Sequence, residues 1–178
     1  MLENYSLRRL LTIGIVAAML VIQFPGYSIS ADSTLSVVTV FIDQGSRIHP
    51  GSSREDVVAV FGPPSRVDSR DVPNAHHPVF LDRVHTFHYP GMVIRFYEAM
   101  LAGKEFVVDI AVNSDRYQPL SPLKVGSTTV DVERFLGLPH ISYNNIWIYD
   151  EMHAGLGRVC LRMKDGAVQA ILWQFYFD

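Results

Sequence analysis

The spacing of apolar residues predicts two short amphipathic helices that lie 75 positions apart in the chain. The segment from Ile48 to Pro64 and the segment from Leu123 to Pro139 share one pattern. In both, an apolar residue is followed by Gly-Ser, a second hydroxyl side chain, a run with apolar residues at helical spacing, and Gly-x-Pro. The periodic residues are Val57, Val60 and Phe61 in the first segment and Val132, Phe135 and Leu136 in the second.

Each predicted helix carries its own start and stop signals. A hydroxyl side chain and an acid three positions later are typical of a capping box at a helix N-terminus. A glycine then provides the left-handed end, and a proline prevents continuation. These residues are Ser53, Asp56, Gly62 and Pro64 in the first segment and Thr128, Asp131, Gly137 and Pro139 in the second.

Strand-like segments follow each helix. They are rich in β-branched and aromatic residues and are separated by turn signals such as Pro90-Gly91 and Asp165-Gly166. Three strands are predicted after each helix: Val84 to Tyr89, Met92 to Tyr97 and Phe106 to Val112, then Ile146 to Tyr149, Arg158 to Met163 and Ala167 to Phe177.

These elements predict an α+β fold of two tandem helix-plus-three-strand (ααβββ-like) repeats, residues 46–115 and 116–178. The repeats are expected to form an antiparallel sheet with helices packed on one face. Residues 31–45 are predicted to be an N-terminal strand or helix, and the Val, Thr and Ile content from Leu35 to Ile42 favours the strand. The connection from Ser65 to Arg83 is predicted to be a long mobile loop, and that from His140 to Asn145 a short one.

The first 30 residues have the layout of a secretory signal peptide. Arg8 and Arg9 precede a charge-free apolar run from Leu10 to Ile22, and small residues follow before Ala31. The run is shorter than the roughly 20 residues of a membrane span, so cleavage is favoured over a retained anchor. A twin-arginine signal is an alternative that the surrounding residues match loosely. Cleavage before Ala31 would leave 148 residues in the periplasm or outside the cell.

Charge and cysteine content narrow the function classes. The chain has a formal net charge of −3, and the part after residue 30 has 13 basic and 17 acidic residues. No basic stripe is present, so nucleic-acid binding is not indicated. Cys160 is the single cysteine, which excludes an intramolecular disulfide. Its apolar neighbours favour a small packing residue over a catalytic thiol.

The Gly-Ser/Thr-x-x-x-x-Val and Gly-x-Pro pattern, followed by strands, resembles the small outer-membrane lipoproteins of the SmpA/OmlA type. One of these is a subunit of the β-barrel assembly machinery. Two such units in tandem resemble the β-lactamase inhibitor protein, whose paired units form one sheet with helices behind it. The resemblance covers roughly residues 46 to 178. The lipid-bearing cysteine of the lipoproteins and the paired cysteines of the inhibitor have no counterpart here, so the resemblance implies a fold and a binding sheet without naming a partner.

No catalytic or metal-binding set is evident. His76, His77, His85 and His88 lie close together in sequence, but residues three apart on a strand point to opposite faces, so His85 and His88 cannot both face one ion. No Gly-x-Ser-x-Gly motif is present for a serine nucleophile. We therefore predict no catalytic residue, no metal and no cofactor. The alternative is a hydrolase or metal-dependent enzyme that uses the His-rich segment 71–88.

Aromatic and arginine side chains on the predicted strands indicate protein binding. Helices cover only one face of a single-layer sheet, and Trp, Tyr and Arg dominate interface hot spots. The opposing interpretation is that most of these rings fill the core. The predicted partner-binding residues are Tyr89, Arg95, Tyr97, Trp147, Tyr149, Arg158, Arg162 and Trp173.

The sequence thus predicts an exported, non-enzymatic module that binds another protein through an exposed sheet face, without nucleic acid and without a membrane span after cleavage. An envelope or outer-membrane assembly factor is a further alternative, which the resemblance implies.

Overall fold

A computed structural model of the protein describes residues 37–117, 122–150 and 157–175. The predicted signal peptide, its cleavage site and the last residues of the predicted strand to Phe177 lie outside them. Three helices and eight strands are formed within these ranges: α1 Val37–Gln44, α2 Arg54–Phe61, β1 Arg66–Pro73, β2 Leu81–Tyr89, β3 Met92–Ala99, β4 Lys104–Val112, α3 Thr129–Leu136, β5 Ile141–Tyr143, β6 Ile146–Asp150, β7 Gly157–Lys164 and β8 Ala167–Phe175.

The eight strands form one antiparallel sheet in the order β1-β2-β3-β4-β8-β7-β6-β5. The halves of the chain join where β4 pairs with β8, with Ile110 opposite Trp173. Register shifts at Arg95/Phe96 in β3 and at Arg162/Met163 in β7 mark β-bulges or irregularities. β1 and β5 are the edges of the sheet.

The predicted fold class is wrong. The protein is largely β, with one large sheet and three helices of eight residues each. Four strands, not three, follow α2 and α3, so the chain is not two helix-plus-three-strand repeats. The predicted mobile loop from Ser65 to Arg83 contains β1, and the connection from His140 to Asn145 contains β5.

Both missed strands are edge strands, which explains why their residues gave no strand signal. β1 has the sequence RVDSRDVP, and all of its residues are exposed except Val72, which is half-buried. Charged side chains and proline are how natural sheets protect an edge from pairing with other chains, and they remove the apolar alternation that predicts a strand. β5 is three residues long, which is below the length that a pattern can resolve.

The strand predicted for Leu35 to Ile42 is wrong for the described residues, which from Val37 onward form helix α1, the predicted alternative. Phe41 and Ile42 are buried, and the backbone oxygen of Phe41 accepts a hydrogen bond from Trp173 Nε1 at 3.1 Å. Packing of this segment against the sheet therefore overrides the strand propensity of its β-branched residues.

The predicted capping boxes are confirmed. Ser53 accepts from the backbone N–H of Asp56 at 3.1 Å, and the Asp56 carboxylate accepts from the N–H of Ser53 at 2.9 Å. Thr128 and Asp131 form the same pair of bonds. These hydrogen bonds hold the pKa of both aspartates below the usual range. Each helix start is thus fixed locally.

Gly62 and Gly137 end α2 and α3 with φ of 79° in both cases. Their ψ values, −176° and −166°, place them in a region that is almost exclusive to glycine, rather than in the left-handed helical region. Their carbonyl oxygens accept hydrogen bonds from Tyr89 and Tyr149, each at 3.0 Å. The glycine conformation therefore positions the carbonyl whose hydrogen bond links each helix end to the sheet.

Replacing Gly137 with alanine is expected to lower the free energy of unfolding by about 1–3 kcal/mol, because any Cβ disfavours this backbone conformation. Nothing lies within 4 Å of a Cβ placed at Gly137, so the cost comes from the backbone alone. Gly51→Ala is the matched control, because it also meets nothing within 4 Å and its φ is not positive. Urea denaturation that gives equal midpoints for both variants would contradict this account of the helix end.

Candidate functional site

Strand alternation gives the sheet two distinct faces. The helix face carries the side chains that pack under the described helices, including Trp173, which contacts Phe41 of α1. The open face carries the alternate residues. The pair Ile110 and Trp173 points to the helix face, and the next pair, Ala111 and Leu172, points to the open face.

Three of the predicted binding residues belong to the core. Tyr89, Tyr149 and Trp173 lie on the helix face and are buried. Their aromatic rings fill the space between sheet and helices, and the two hydroxyls bond the helix-end carbonyls. Burial raises the pKa of both tyrosines, that of Tyr149 to about 12. The prediction that they are exposed is wrong, because the sequence alone does not show which alternate residues of a strand face the helices.

Trp147 also lies on the helix face, where it is half-buried and packs against the core. The four remaining predicted residues, Arg95, Tyr97, Arg158 and Arg162, lie on the open face. The sheet thus brings the predicted arginines to one side and turns all of the predicted aromatic residues except Tyr97 away from it.

Tyr97 has a structural partner. Its hydroxyl donates to the buried carboxylate of Asp82, which also accepts from the backbone N–H of Met100 at 2.9 Å and the Asn74 side chain at 2.7 Å. The hydrogen bond to Asp82, together with burial, raises the pKa of Tyr97 to about 12. The same hydrogen bond holds the pKa of Asp82 below its usual range. Tyr97 therefore serves mainly to hold this end of the sheet together.

The most extensive feature of the open face is a line of apolar side chains that crosses six strands at matching register. We call it the apolar row. Each member lies opposite the next across a strand pair. The row consists of Val93, Ala111, Leu172, Cys160, Ile148 and Ile141. Sequence reasoning missed it because its members come from six separate strands.

A polar row runs parallel to the apolar row, two residues along β3, β4, β6 and β7. Arg95 bonds Asp109 at 2.8 Å, and Arg158 approaches Asp150 at 3.9 Å. Burial raises the pKa of Asp109, although the bonds from Arg95 act in the opposite direction. The charges of this row are thus largely neutralised within the sheet.

On the other side of the apolar row the surface forms a trough of about 300 Å³. Its open-face lining consists of Val93, Ala111, Ile146, Cys160, Arg162, Ala170 and Leu172. Ala111, Ala170 and Cys160 have small side chains, so space that larger side chains would occupy at these positions stays open. Burial raises the pKa of the Cys160 thiol, so it behaves as an apolar wall rather than a reactive group.

Arg162 and Lys164 occupy successive open-face positions of β7, and both are exposed. Neither has an ion-pair or hydrogen-bond partner within the ranges that the structure describes. Arg162 also lines the trough, so the trough has a positive charge at its side that no described residue pairs with.

The histidines of segment 71–88 do not converge. His76 and His77 are exposed in the turn before β2, where Asn74 accepts from both backbone N–H groups. His85 and His88 point to opposite faces, as predicted, and contact Glu98 and Asp68. Among the described residues no three His, Cys, Asp or Glu side chains gather as a metal site.

None of the described helices is long and apolar enough to cross a membrane. No protein-family model matches the sequence, and no curated protein matches it. The chain is similar to a solved structure of an extracellular protein containing an SCP domain from Bacillus anthracis, with 16% identity and a TM-score of 0.43. The match covers 86% of this chain and 50% of that one. The chain thus spans half the length of that protein, and the likeness carries no conclusion about function.

Proposed function

We propose that this protein is an exported binding module whose open sheet face holds an acidic, extended segment of another protein. The export signal is the pattern of the first 30 residues. Binding of this kind needs no covalent chemistry at the open face. The observation that carries the proposal is the apolar row beside a trough lined by Arg162, which has no ion-pair partner among the described residues.

The length of the apolar row fits a short extended peptide. It crosses six strands, and five inter-strand steps of about 4.8 Å give about 24 Å. An extended chain rises about 3.3 Å per residue, so about seven residues would cover the row. Leu172 and Ile148 are half-buried and Ile141 is exposed, so apolar surface is accessible to a partner. Burying it contributes a binding free energy of about 25 cal/mol per Å².

The trough defines one anchor point within that segment. Its floor of small side chains accepts an aliphatic or aromatic side chain, the type of group that dominates interface hot spots. Arg162 and Lys164 beside it favour a carboxylate at a neighbouring partner position. The recognised pattern is therefore one bulky apolar residue next to Asp or Glu.

A second copy of this chain fits less well. In a two-fold symmetric contact the same patch meets itself, which would bring Arg162 and Lys164 of one copy towards those of the other. Like charges without partners disfavour that contact. The envelope-assembly role implied by the resemblance stays a prediction.

A random display library of seven-residue peptides, selected on the chain from Ala31 onward, tests the proposal. Enriched peptides are expected to combine Asp or Glu with a bulky apolar residue. Arg162→Glu should weaken their binding at least ten-fold, because a rim cation becomes a repulsive anion. Arg70→Glu is the matched control, since Arg70 is exposed on the open side of the distant edge strand β1.

Three outcomes would contradict the proposal. The first is enrichment of peptides without acidic residues, and the second is equal binding by the Arg162→Glu and Arg70→Glu variants. The third is a dimer in sedimentation that Arg162→Glu dissociates or strengthens, because this would make a second copy the occupant of the open face.

A further inference from the structure

Three side chains on the helix face form a hydrogen-bonded chain near the β1 edge. Ser69 of β1 lies opposite His85 of β2, and its Oγ is 2.8 Å from His85 Nδ1. His85 Nε2 lies 2.8 Å from an oxygen of Glu98 in β3. Ser69 is exposed, whereas His85 is only 7% exposed. The Glu98 side chain is partly exposed, so the buried imidazole lies between a hydroxyl and a carboxylate that are both more accessible.

One imidazole tautomer satisfies both short contacts. With its proton on Nε2, His85 donates to the Glu98 carboxylate, and Nδ1 accepts from the Ser69 hydroxyl. Arg54 Nη1 is also near Nε2, but at 3.5 Å this contact is longer than that to Glu98. In this tautomer the free lone pair of His85 faces the serine proton, which is the arrangement of a general base with its nucleophile.

The charges around the chain keep the carboxylate ionised. The hydrogen bond from His85 lowers the pKa of Glu98, and Arg54 and Arg83 lower it further. An ionised carboxylate stabilises the imidazolium that forms when His85 takes a proton. Arg54 is held in turn by an ion pair with Glu105.

A shallow groove of about 620 Å³ lies next to this chain. Arg54, Glu55, Val58, Ala59 and Phe87 line it. Phe87 lies two positions beyond His85 on the same face of β2. Arg54 lines the groove and also approaches His85 Nε2. The groove therefore offers apolar contacts for an acyl group, and the Arg54 guanidinium lies on the Nε2 side of His85, away from Ser69.

We propose that Ser69, His85 and Glu98 form a second functional site, which hydrolyses small acyl esters. Ser69 Oγ bonds to the ester carbonyl carbon while its proton passes to His85 Nδ1. The bond to the leaving alcohol then breaks, and that proton goes to the departing oxygen. Water attacks the acyl-serine, gives a proton to His85, and releases the carboxylic acid as Ser69 recovers its proton.

In this proposal Glu98 is a positioning residue that orients His85. The sequence has no Gly-x-Ser-x-Gly motif, and Ser69 falls within the segment from Ser65 to Arg83 that is predicted to be a loop. The formation of edge strand β1 is what sets Ser69 opposite His85. The site is independent of the open face, because it lies on the opposite side of the sheet.

A fluorophosphonate probe and p-nitrophenyl acetate test this site on the chain from Ala31 onward. Peptide mass spectrometry is expected to find the probe on Ser69. Hydrolysis should fall about 100-fold or more in Ser69→Ala, since positioned general-base catalysis contributes on that order. Ser65→Ala is the matched control, because Ser65 is also exposed and bonds only the His88 carbonyl oxygen with its side chain.

Ser69 lies exposed on an edge strand, so the Ser69→Ala variant should fold, and circular dichroism verifies this. Glu98→Gln should slow labelling about ten-fold or more, whereas Glu98→Asp should restore part of the rate, which a merely structural role would not produce. A probe adduct absent from Ser69, or unchanged hydrolysis by folded Ser69→Ala protein, would overturn the proposal.

Discussion

Replacing Trp173 with alanine is expected to lower the free energy of unfolding by about 3–5 kcal/mol, which is typical for a large buried side chain. Trp173 is 1% exposed and lies in β8 between Ile110 and Val159 of the neighbouring strands. Its ring centroid is 5.5 Å from that of Phe41, and its Nε1 donates to the Phe41 carbonyl oxygen. The variant therefore loses packing in the sheet and the hydrogen bond to α1.

This loss is a large part of the stability of a small domain, which is typically about 5–15 kcal/mol. Urea denaturation monitored by far-ultraviolet circular dichroism measures it. Trp173→Phe should cost less because it keeps a ring, and Trp147→Ala should cost less because Trp147 is half-buried. A loss below about 1 kcal/mol in Trp173→Ala would contradict the burial of this residue.

Local structure at the helix ends could be predicted from sequence because it depends on neighbours in the chain. The bonds between Ser53 and Asp56 form within one helical turn. Position 62 needs glycine because its backbone angles are disfavoured for a residue with a Cβ. Such features need no knowledge of the rest of the fold, so the positions of α2 and α3 followed from them.

The architecture of the sheet could not be predicted in the same way. β1 is polar because it is an edge, and Asp68 and Arg70 protect that edge. β5 is held by its pairing with β6 rather than by its own three residues. Counting strands from apolar patterns therefore gave three per half instead of four.

The candidate site shows the same division between local and distant information. The sequence indicated that arginines of the strands reach an exposed face, and Arg162 does. The aromatic residues were assigned wrongly because a shift of one position moves every side chain of a strand to the other face. The apolar row depends on register across six strands, which no stretch of sequence reports.

Cys160 provides the most direct test of the proposed binding face. It is the single cysteine of the chain and lines the trough. Modifying it with a bulky maleimide is expected to fill the trough and weaken binding of a selected acidic peptide about 100-fold, the size of a hot-spot loss. The reaction needs alkaline pH, because burial raises the pKa of the thiol.

Methylthiolation of Cys160, which adds one small group, is the control and should weaken binding much less. Circular dichroism establishes that both modified proteins keep their fold. The decisive measurement is the dissociation constant of the peptide for the maleimide-modified protein. We predict a loss of about 100-fold together with protection of Cys160 by bound peptide. Unchanged affinity in the folded, fully modified protein would show that the partner does not bind at this face.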